Sequence, residues 1–378
     1  MLSEAERLVF ASCKTPMQQR MVTVGEGIQI NTWTSLGGDS KPALVCMHGW
    51  TASCAFWHLA IDELAHHYKL YLADWVGFGR SSSVPFTGAS AQDAEDYWLR
   101  PFEAWRLAMG LGRFILAGHS LGGYLSCVYA CAHPDRVISL VLVSPGGVTA
   151  NSTVLEPGTP VVEADAIESV AHHAAHDDDD MEENREQSSR SSPPPPSHAA
   201  QSIIFAGIKV TPGSRVHNWV WYFSPSGVLR ALGPFGRKYI MRFLRQRWGR
   251  QANAAFTEYT YHMVARSGGH AGENATRGIF RPIAVPNRPL SERVASLAMP
   301  SLWLYGDMDW MRVEEAVECK ALIQPKLNAR THVVVVPNSS HQIMLDASGA
   351  LVDAMVNFIN TAGKRVGECV EPYPAPGL

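Results

Sequence analysis

Residues Arg113–Gly123 read RFILAGHSLGG. The run Arg113–Ala117 is short and apolar, which predicts a buried strand. From Leu121 to Ala132 the apolar residues return at helical spacing. Between the two lies Gly118-His119-Ser120-Leu121-Gly122, a G-x-S-x-G pattern at a strand-to-helix junction. Such a junction is tight and strained, so its flanking positions must be small. It lifts the serine hydroxyl above the sheet edge, at the amino end of the helix. The pattern alone is weak, and its plain alternative is a glycine-rich turn without chemistry. The strand before it and the helix after it give it weight.

Outward from this turn the chain alternates. Apolar runs at Ala43–Met47, Lys69–Ala73 and Val137–Val143 are separated by helical patterns near Phe56–His66 and Ala91–Met109. Arg20–Val24 and Ile28–Ser35 read as a hairpin turned at Gly25-Glu26-Gly27. Near-continuous apolar strands divided by helices imply a parallel sheet covered on both faces. The alternation stops near residue 150. It resumes with the strand Ser301–Tyr305, a helix over Val313–Ile323, the strand Thr331–Val336 and a helix over Ala347–Ile359. The expected architecture is therefore an α/β-hydrolase fold: a mostly parallel central sheet flanked by helices, with an inserted, mainly helical cap. Residues 1–149 and 290–378 form the core and 150–289 the cap, over the carboxyl edge of the sheet. Within the cap, 172–197 runs from acidic to Ser-rich to Pro-rich, a composition that reads as a disordered loop. Its three His beside four Asp offer no held geometry for a metal, and no metal is expected.

A serine hydroxyl is a weak nucleophile at neutral pH and needs a base. In this fold the acid follows the nucleophile in the chain and the histidine comes last. His341, in the loop after Thr331–Val336, fits the base. Two aspartates follow Ser301–Tyr305, in Gly306-Asp307-Met308-Asp309-Trp310. Asp307 lies nearer the strand and reads as a turn brace. Asp309 fits the G-x-x-D frame and is preferred as the acid that orients the histidine. The expected catalytic set is Ser120, Asp309 and His341. The oxyanion donors are assigned to the backbone N–H groups of Leu121 and Trp50, the latter in the loop His48-Gly49-Trp50. His48 is expected to brace that loop, and Asp74 to have a structural role.

Bulk composition excludes other classes. The chain has 378 residues, enough for a core and an insertion. A formal net charge of −3 gives no basic field for nucleic acid. The first residues, MLSEAERLVF, are broken by Glu4, Glu6 and Arg7 and do not read as a secretory signal. No stretch approaches the ~18 apolar residues of a membrane span. The seven cysteines are scattered without a CxxC pair, which suggests reduced thiols and an intracellular setting. The sequon at Asn151 then carries no weight.

Beyond the turn, several segments resemble one branch of lipases. They are Glu103-Ala104-Trp105-Arg106, Gly118–Gly123, LRALGPFG at 229–236, FTEYTYH at 256–262, NRPLSER at 287–293 and YGDMDWM at 305–311. The branch is that of α/β-hydrolase-domain proteins containing a lipid-droplet lipolysis coactivator, an N-acyl-phospholipid lipase and a fungal cardiolipin deacylase. The resemblance implies a lipid substrate and no organic cofactor. It also implies a second pairing, His341-x4-Asp346, read in such proteins as a motif for acylating lysophosphatidic acid; Asp346 could instead cap the last helix. The coactivator of that branch lacks the nucleophilic serine, whereas this chain keeps Ser120.

The cap hints at where the substrate lies. GRKYIMRFLRQRWGR, residues 236–250, carries six basic residues and no acid. Its apolar residues Ile240, Phe243, Leu244 and Trp248 recur at helical spacing, as in a basic amphipathic helix on an anionic lipid surface. An ordinary cap helix with a solvated basic face fits as well. Trp219–Phe223 adds an aromatic cluster, either acyl pocket or core. The expected activity is hydrolysis of phospholipid or lysophospholipid acyl esters. It would take place at an intracellular membrane, lipid droplet or mitochondrial surface, with peripheral association. The rivals are a lysophosphatidic acid acyltransferase, a prolyl-aminopeptidase-like peptidase, a small-molecule esterase and a non-catalytic lipolysis regulator.

Overall fold

The computed structural model describes residues 1–150, 254–265, 270–281, 284–328 and 330–364, with short segments at 168–169, 203–205, 208–210, 237–238 and 241–242. Nine strands form the central sheet. They are β1 Met17–Val24, β2 Ile28–Ser35, β3 Ala43–Met47, β4 Lys69–Ala73, β5 Phe114–His119, β6 Val137–Val143, β7 Glu168–Ser169, β8 Ser301–Gly306 and β9 Thr331–Val336. Their spatial order is β1-β2-β4-β3-β5-β6-β8-β9-β7. The hairpin β1–β2 and the β2–β4 pair are antiparallel. From β4 to β7 every pairing is parallel. The chain has the α/β hydrolase fold, with a mostly parallel sheet.

The eight described helices of seven residues or more are α1 Leu2–Phe10, α2 Ile61–His67, α3 Ala91–Ala108, α4 Leu121–Ala132, α5 Ala254–Ala265, α6 His270–Ile279, α7 Val313–Leu322 and α8 Ser348–Lys364. Strand period decides which face each residue serves. Val45, Met47 and Leu116 enter one apolar cluster with Trp98 and Trp105 of α3, Tyr124 of α4 and Ala316 of α7. Their neighbours Leu44, Cys46, Ile115 and Ala117 enter the other, with Phe10 of α1, Leu64 of α2 and Met355 of α8. All six residues of β5 are buried. Phe114, Ile115 and Leu116 there each contribute about 1.5–3 kcal/mol against exposure. The strand that carries the elbow is thus held in the core along its whole length, as is β8.

Boundaries differ in ways that local chemistry explains. The helix expected over Phe56–His66 is a 3-10 segment, Cys54–Ala60, running into α2. The start of α3 is fixed by a capping box: the Ser90 side chain accepts from the Asp93 N–H, and Asp93 accepts from the Ser90 N–H. The N-terminal ten residues, read only for what they exclude, form α1. It buries Ala5, Glu6, Val9 and Phe10, with Phe10 stacked on Trp33 at 4.0 Å between centroids.

From the insertion, α5 places Phe256, Tyr259 and Met263 in the α1-side cluster, and α6 places Ala275 and Ile279 in the α3-side cluster. The 172–197 stretch and the aromatic run 219–223 lie outside the described residues. Of the basic stretch 236–250, only 237–238 and 241–242 are described, and they are helical. There Arg237 is paired with Glu258 of α5 at 2.9 Å and lies over the Tyr261 ring. The six described cysteines are free thiols. No described helix is long and apolar enough to cross a membrane.

Candidate active site

Ser120 sits between β5 and α4 with φ 54° and ψ −116°, a conformation that L residues rarely adopt. Backbone bonds fix it there. Its N–H donates to the Val143 carbonyl at 2.9 Å, and its own carbonyl accepts from Gly146 and Tyr124. The flanking glycines are required by space. A Cβ on Gly118 would strike the Gly122 carbonyl oxygen, and one on Gly122 would strike that of His48. The G-x-S-x-G spacing thus follows from three backbone segments meeting at one point.

The two residues expected to work with this serine meet it above β5, β8 and β9. His341 Nε2 is 3.0 Å from Ser120 Oγ. His341 Nδ1 is 3.0 Å from Asp309 Oδ1. With Asp309 as acceptor, Nδ1 carries the proton and Nε2 is left to accept from the serine hydroxyl. Burial works to raise the Asp309 carboxyl, but the His341 imidazole, with the neighbouring Ser144 and the Met311 N–H, more than offsets that and holds it below the usual carboxylate range. Asp309 therefore stays anionic, as an orienting acid must.

The other candidates have distinct places. Leu121 is the first residue of α4, so its N–H has no partner within the helix. The loop that carries Trp50 presses on the elbow: a Cβ on Gly49 would lie 2.9 Å from the Ser120 Cβ. Trp50 is half-buried. His48 binds the Gly49 carbonyl through Nδ1 at 2.8 Å and accepts the Trp75 N–H at Nε2. It is buried and neutral in character, since desolvation lowers its pKa. Asp74 accepts from Asn31, the Cys54 N–H and the Arg80 N–H, all at 2.8 Å, away from the nucleophile.

Asp307 spans two loops rather than closing its own turn. It accepts the N–H groups of Asn338 and Ser339, each at 3.0 Å, and so anchors the loop that presents His341. Asp346 does not bond to His341. It accepts the Ser340 N–H at 2.9 Å and the Ser340 hydroxyl. Nor does it begin the last helix, which starts at Ser348. The His-x4-Asp spacing thus corresponds to a brace one residue before the histidine.

Sequence reasoning did not single out three residues. His119, within the elbow, is buried, and its Nε2 donates to the His341 carbonyl at 2.8 Å. Desolvation, aided by the neighbouring His341, pushes its pKa down to about 3, so it is a neutral donor. Trp310 is exposed, with its ring 5.0 Å from that of His341. Met308, on the same loop, is also exposed, so the loop beside His341 carries two exposed apolar side chains. Ser144 ends β6 beside Asp309. The NRPLSER segment is structural: Arg288 and Arg293 both pair with buried Glu95 of α3, at 2.8 and 2.7 Å. Tyr124 of α4 donates to the same carboxylate.

Residues 42–167 match the family model described as alpha/beta hydrolase fold. Over 369 residues the chain is 28% identical to the 1-acylglycerol-3-phosphate O-acyltransferase of Arabidopsis thaliana, covering 90% of this chain and 76% of that protein. It is 27% identical over 316 residues to the human (lyso)-N-acylphosphatidylethanolamine lipase, covering 82% and 76%. A bacterial membrane phospholipase A shares the fold at a TM-score of 0.60 and 18% identity, covering 96% of this chain and 90% of that one. The human lipase is of the branch whose motifs the sequence resembles.

Proposed function

From an α/β hydrolase fold in which a strained serine, a histidine and a buried carboxylate stand in hydrogen-bonded series, we propose a serine hydrolase that cleaves acyl esters of phospholipids or lysophospholipids. The observation that carries the reading is the 3.0 Å contact of His341 Nε2 with Ser120 Oγ, backed by Asp309. Ser120 Oγ attacks the acyl carbonyl as His341 Nε2 takes its proton. The N–H groups of Leu121 and Trp50 hold the oxyanion. The tetrahedral adduct then expels the lysolipid alkoxide, which takes the proton back from His341. Water, activated by the same imidazole, cleaves the acyl-enzyme and frees the fatty acid. No metal or organic cofactor enters these steps. The lipid class rests on the names of the relatives, the exposed Met308 and Trp310 side chains and the basic stretch 236–250. Together they favour peripheral work at an intracellular membrane or lipid-droplet surface.

A second reading is favoured by the acyltransferase name of the Arabidopsis relative. The same acyl-enzyme could pass its acyl group to the hydroxyl of lysophosphatidic acid instead of water. Asp346 would then act through the loop it braces rather than as a partner of His341.

One experiment separates the readings. Wild type and Ser120→Ala are incubated with mixed phospholipid vesicles, with and without lysophosphatidic acid and acyl-CoA, and products are followed by lipid mass spectrometry. The expected result is fatty acid and lysolipid from wild type, with a loss of about 10³-fold or more in Ser120→Ala. Phosphatidic acid formed from lysophosphatidic acid by wild type and lost in Ser120→Ala would support the second reading, whereas phosphatidic acid formed only with acyl-CoA, surviving Ser120→Ala and lost in Asp346→Ala, would make the chain an acyltransferase that does not use the serine. Absence of Ser120-dependent fatty-acid release from every glycerophospholipid would overturn the hydrolase reading.

A further inference from the structure

Three observations converge on Ser144, which ends β6. Its backbone has φ 47°, the left-handed region that a non-glycine residue occupies at a cost. A glycine would hold that turn without strain, so the side chain needs another reason to be there. The residue is fully buried, and its N–H bonds the Leu304 carbonyl of β8 at 2.7 Å, which pins it between β6 and the strand that leads to Asp309. Its hydroxyl and the second carboxylate oxygen of Asp309, Oδ2, are both buried, and neither has a hydrogen-bond partner of ordinary geometry among the described residues. Two buried orphans, one a donor and one an anion, lie side by side. Leaving both unpaired costs far more than the small rotation that joins them.

We propose that Ser144 is a positioning residue for the triad: its O–H donates to Asp309 Oδ2 and turns the carboxylate so that Oδ1 faces His341 Nδ1. The inference rests on the triad reading above and adds a fourth member to it. Asp309 Oδ1 is already committed to His341 and to the Met311 N–H at 2.9 Å. With Oδ2 held as well, the carboxylate cannot swing about its Cβ–Cγ bond. The titratable groups that face Asp309 are His341, His119 and Tyr305. Of these, His341 shares a hydrogen bond with the carboxylate.

The test uses Ser144→Ala and Ser144→Gly in the full chain, read with a fluorophosphonate probe that reacts with activated serines whatever the lipid substrate. Glycine holds the left-handed backbone without strain, which offsets part of the cost of losing the hydroxyl, and a urea midpoint identifies the folded fraction in which labelling is read. Both variants should label Ser120 on the order of tenfold more slowly than wild type at saturating probe, with probe affinity little changed. The acid limb of the labelling rate should move to higher pH, because a carboxylate without its donor holds protons in the Asp309–His341 pair more strongly. Wild-type rates and an unmoved pH profile in Ser144→Gly would overturn the proposal. Failure of wild type itself to label at Ser120 would overturn the triad reading, and the role of Ser144 with it.

Discussion

Asp307 and Asp309 stand two residues apart on one loop, and their surroundings give them different work. Asp309 is buried against His341, whereas the side chain of Asp307 ties the loop of residues 338 and 339. Asp309→Asn should preserve the packing but favour the wrong imidazole tautomer. A kcat loss of roughly three to four orders of magnitude is expected. Asp307→Asn keeps one acceptor for two donors. It should cost about 1 kcal/mol of stability and less than tenfold in rate. Steady-state kinetics and urea denaturation on the two variants distinguish the roles, and equal rate losses would sink the assignment. The sign of the pH effect follows from the depressed Asp309 carboxyl. Its contribution is present above the unfolded value of about 3.9 and is lost only as pH falls through the lower folded one. At this scale the elbow that presents the candidate nucleophile was legible because it imposes glycines at fixed offsets. The choice between two aspartates rested on a one-dimensional frame, since spacing does not record burial. Ser144 left no trace in the sequence, because a left-handed serine at a strand end has no pattern.

At the scale of elements, the strands and helices of the core were legible because each is a short apolar run or a regular helical repeat flanked by turn residues. Lys69–Ala73, Val137–Val143 and Thr331–Val336 have the ends their composition suggests. The misread elements are those whose apolar face is decided by a distant partner. The amphipathic pattern of α1 is too short to be compelling alone, and its burial depends on Trp33 and on α5. The NRPLSER segment shows the same limit. Nothing in the sequence marks a partner for its two arginines, yet both converge on Glu95, 193 and 198 residues earlier in the chain and buried in α3. This carboxylate joins α3 to α4 through Tyr124 and to the 287–293 segment through Arg288 and Arg293. Removing one partner of such a buried set leaves the others charged and unpaired. Glu95→Ala should therefore lower stability by about 3–5 kcal/mol. The fluorophosphonate labelling rate of the folded fraction should stay near wild type, since no triad residue touches Glu95. A urea midpoint within error of wild type would show that the cluster is solvated and energetically idle.

At the scale of the whole molecule, one buried polar network links the N-terminus, the sheet and the insertion. Glu6 of α1 accepts from Asn31 of β2 at 2.9 Å and from Arg80 at 2.7 Å, and Tyr259 of α5 lies 3.3 Å away. Asp74, after β4, shares Asn31 with it. Burial and the nearby Asp74 push the Glu6 carboxyl up to about 7, with Arg80 opposing. The folded value thus lies above the unfolded one of 4.5. The native state then holds a proton between pH 4.5 and 7 that the unfolded chain has released. The stability this group supplies is complete below pH 4.5 and is lost as pH rises towards 7. Its slope is at most about 1.4 kcal/mol per pH unit. Glu6→Gln carries a permanent neutral group in the same space, so urea stability across pH 4.5–7 should fall less steeply in the variant than in wild type. Hydrogen exchange of the α1 amides should show the same divergence, because α1 reaches the core through this residue and through Val9 and Phe10. Parallel stability curves for the two proteins would mean that Arg80 keeps Glu6 ionised throughout, making the network a fixed ion pair. A steeper fall in wild type would make the docking of α1 against α5 a property that weakens as the medium turns from acidic to neutral.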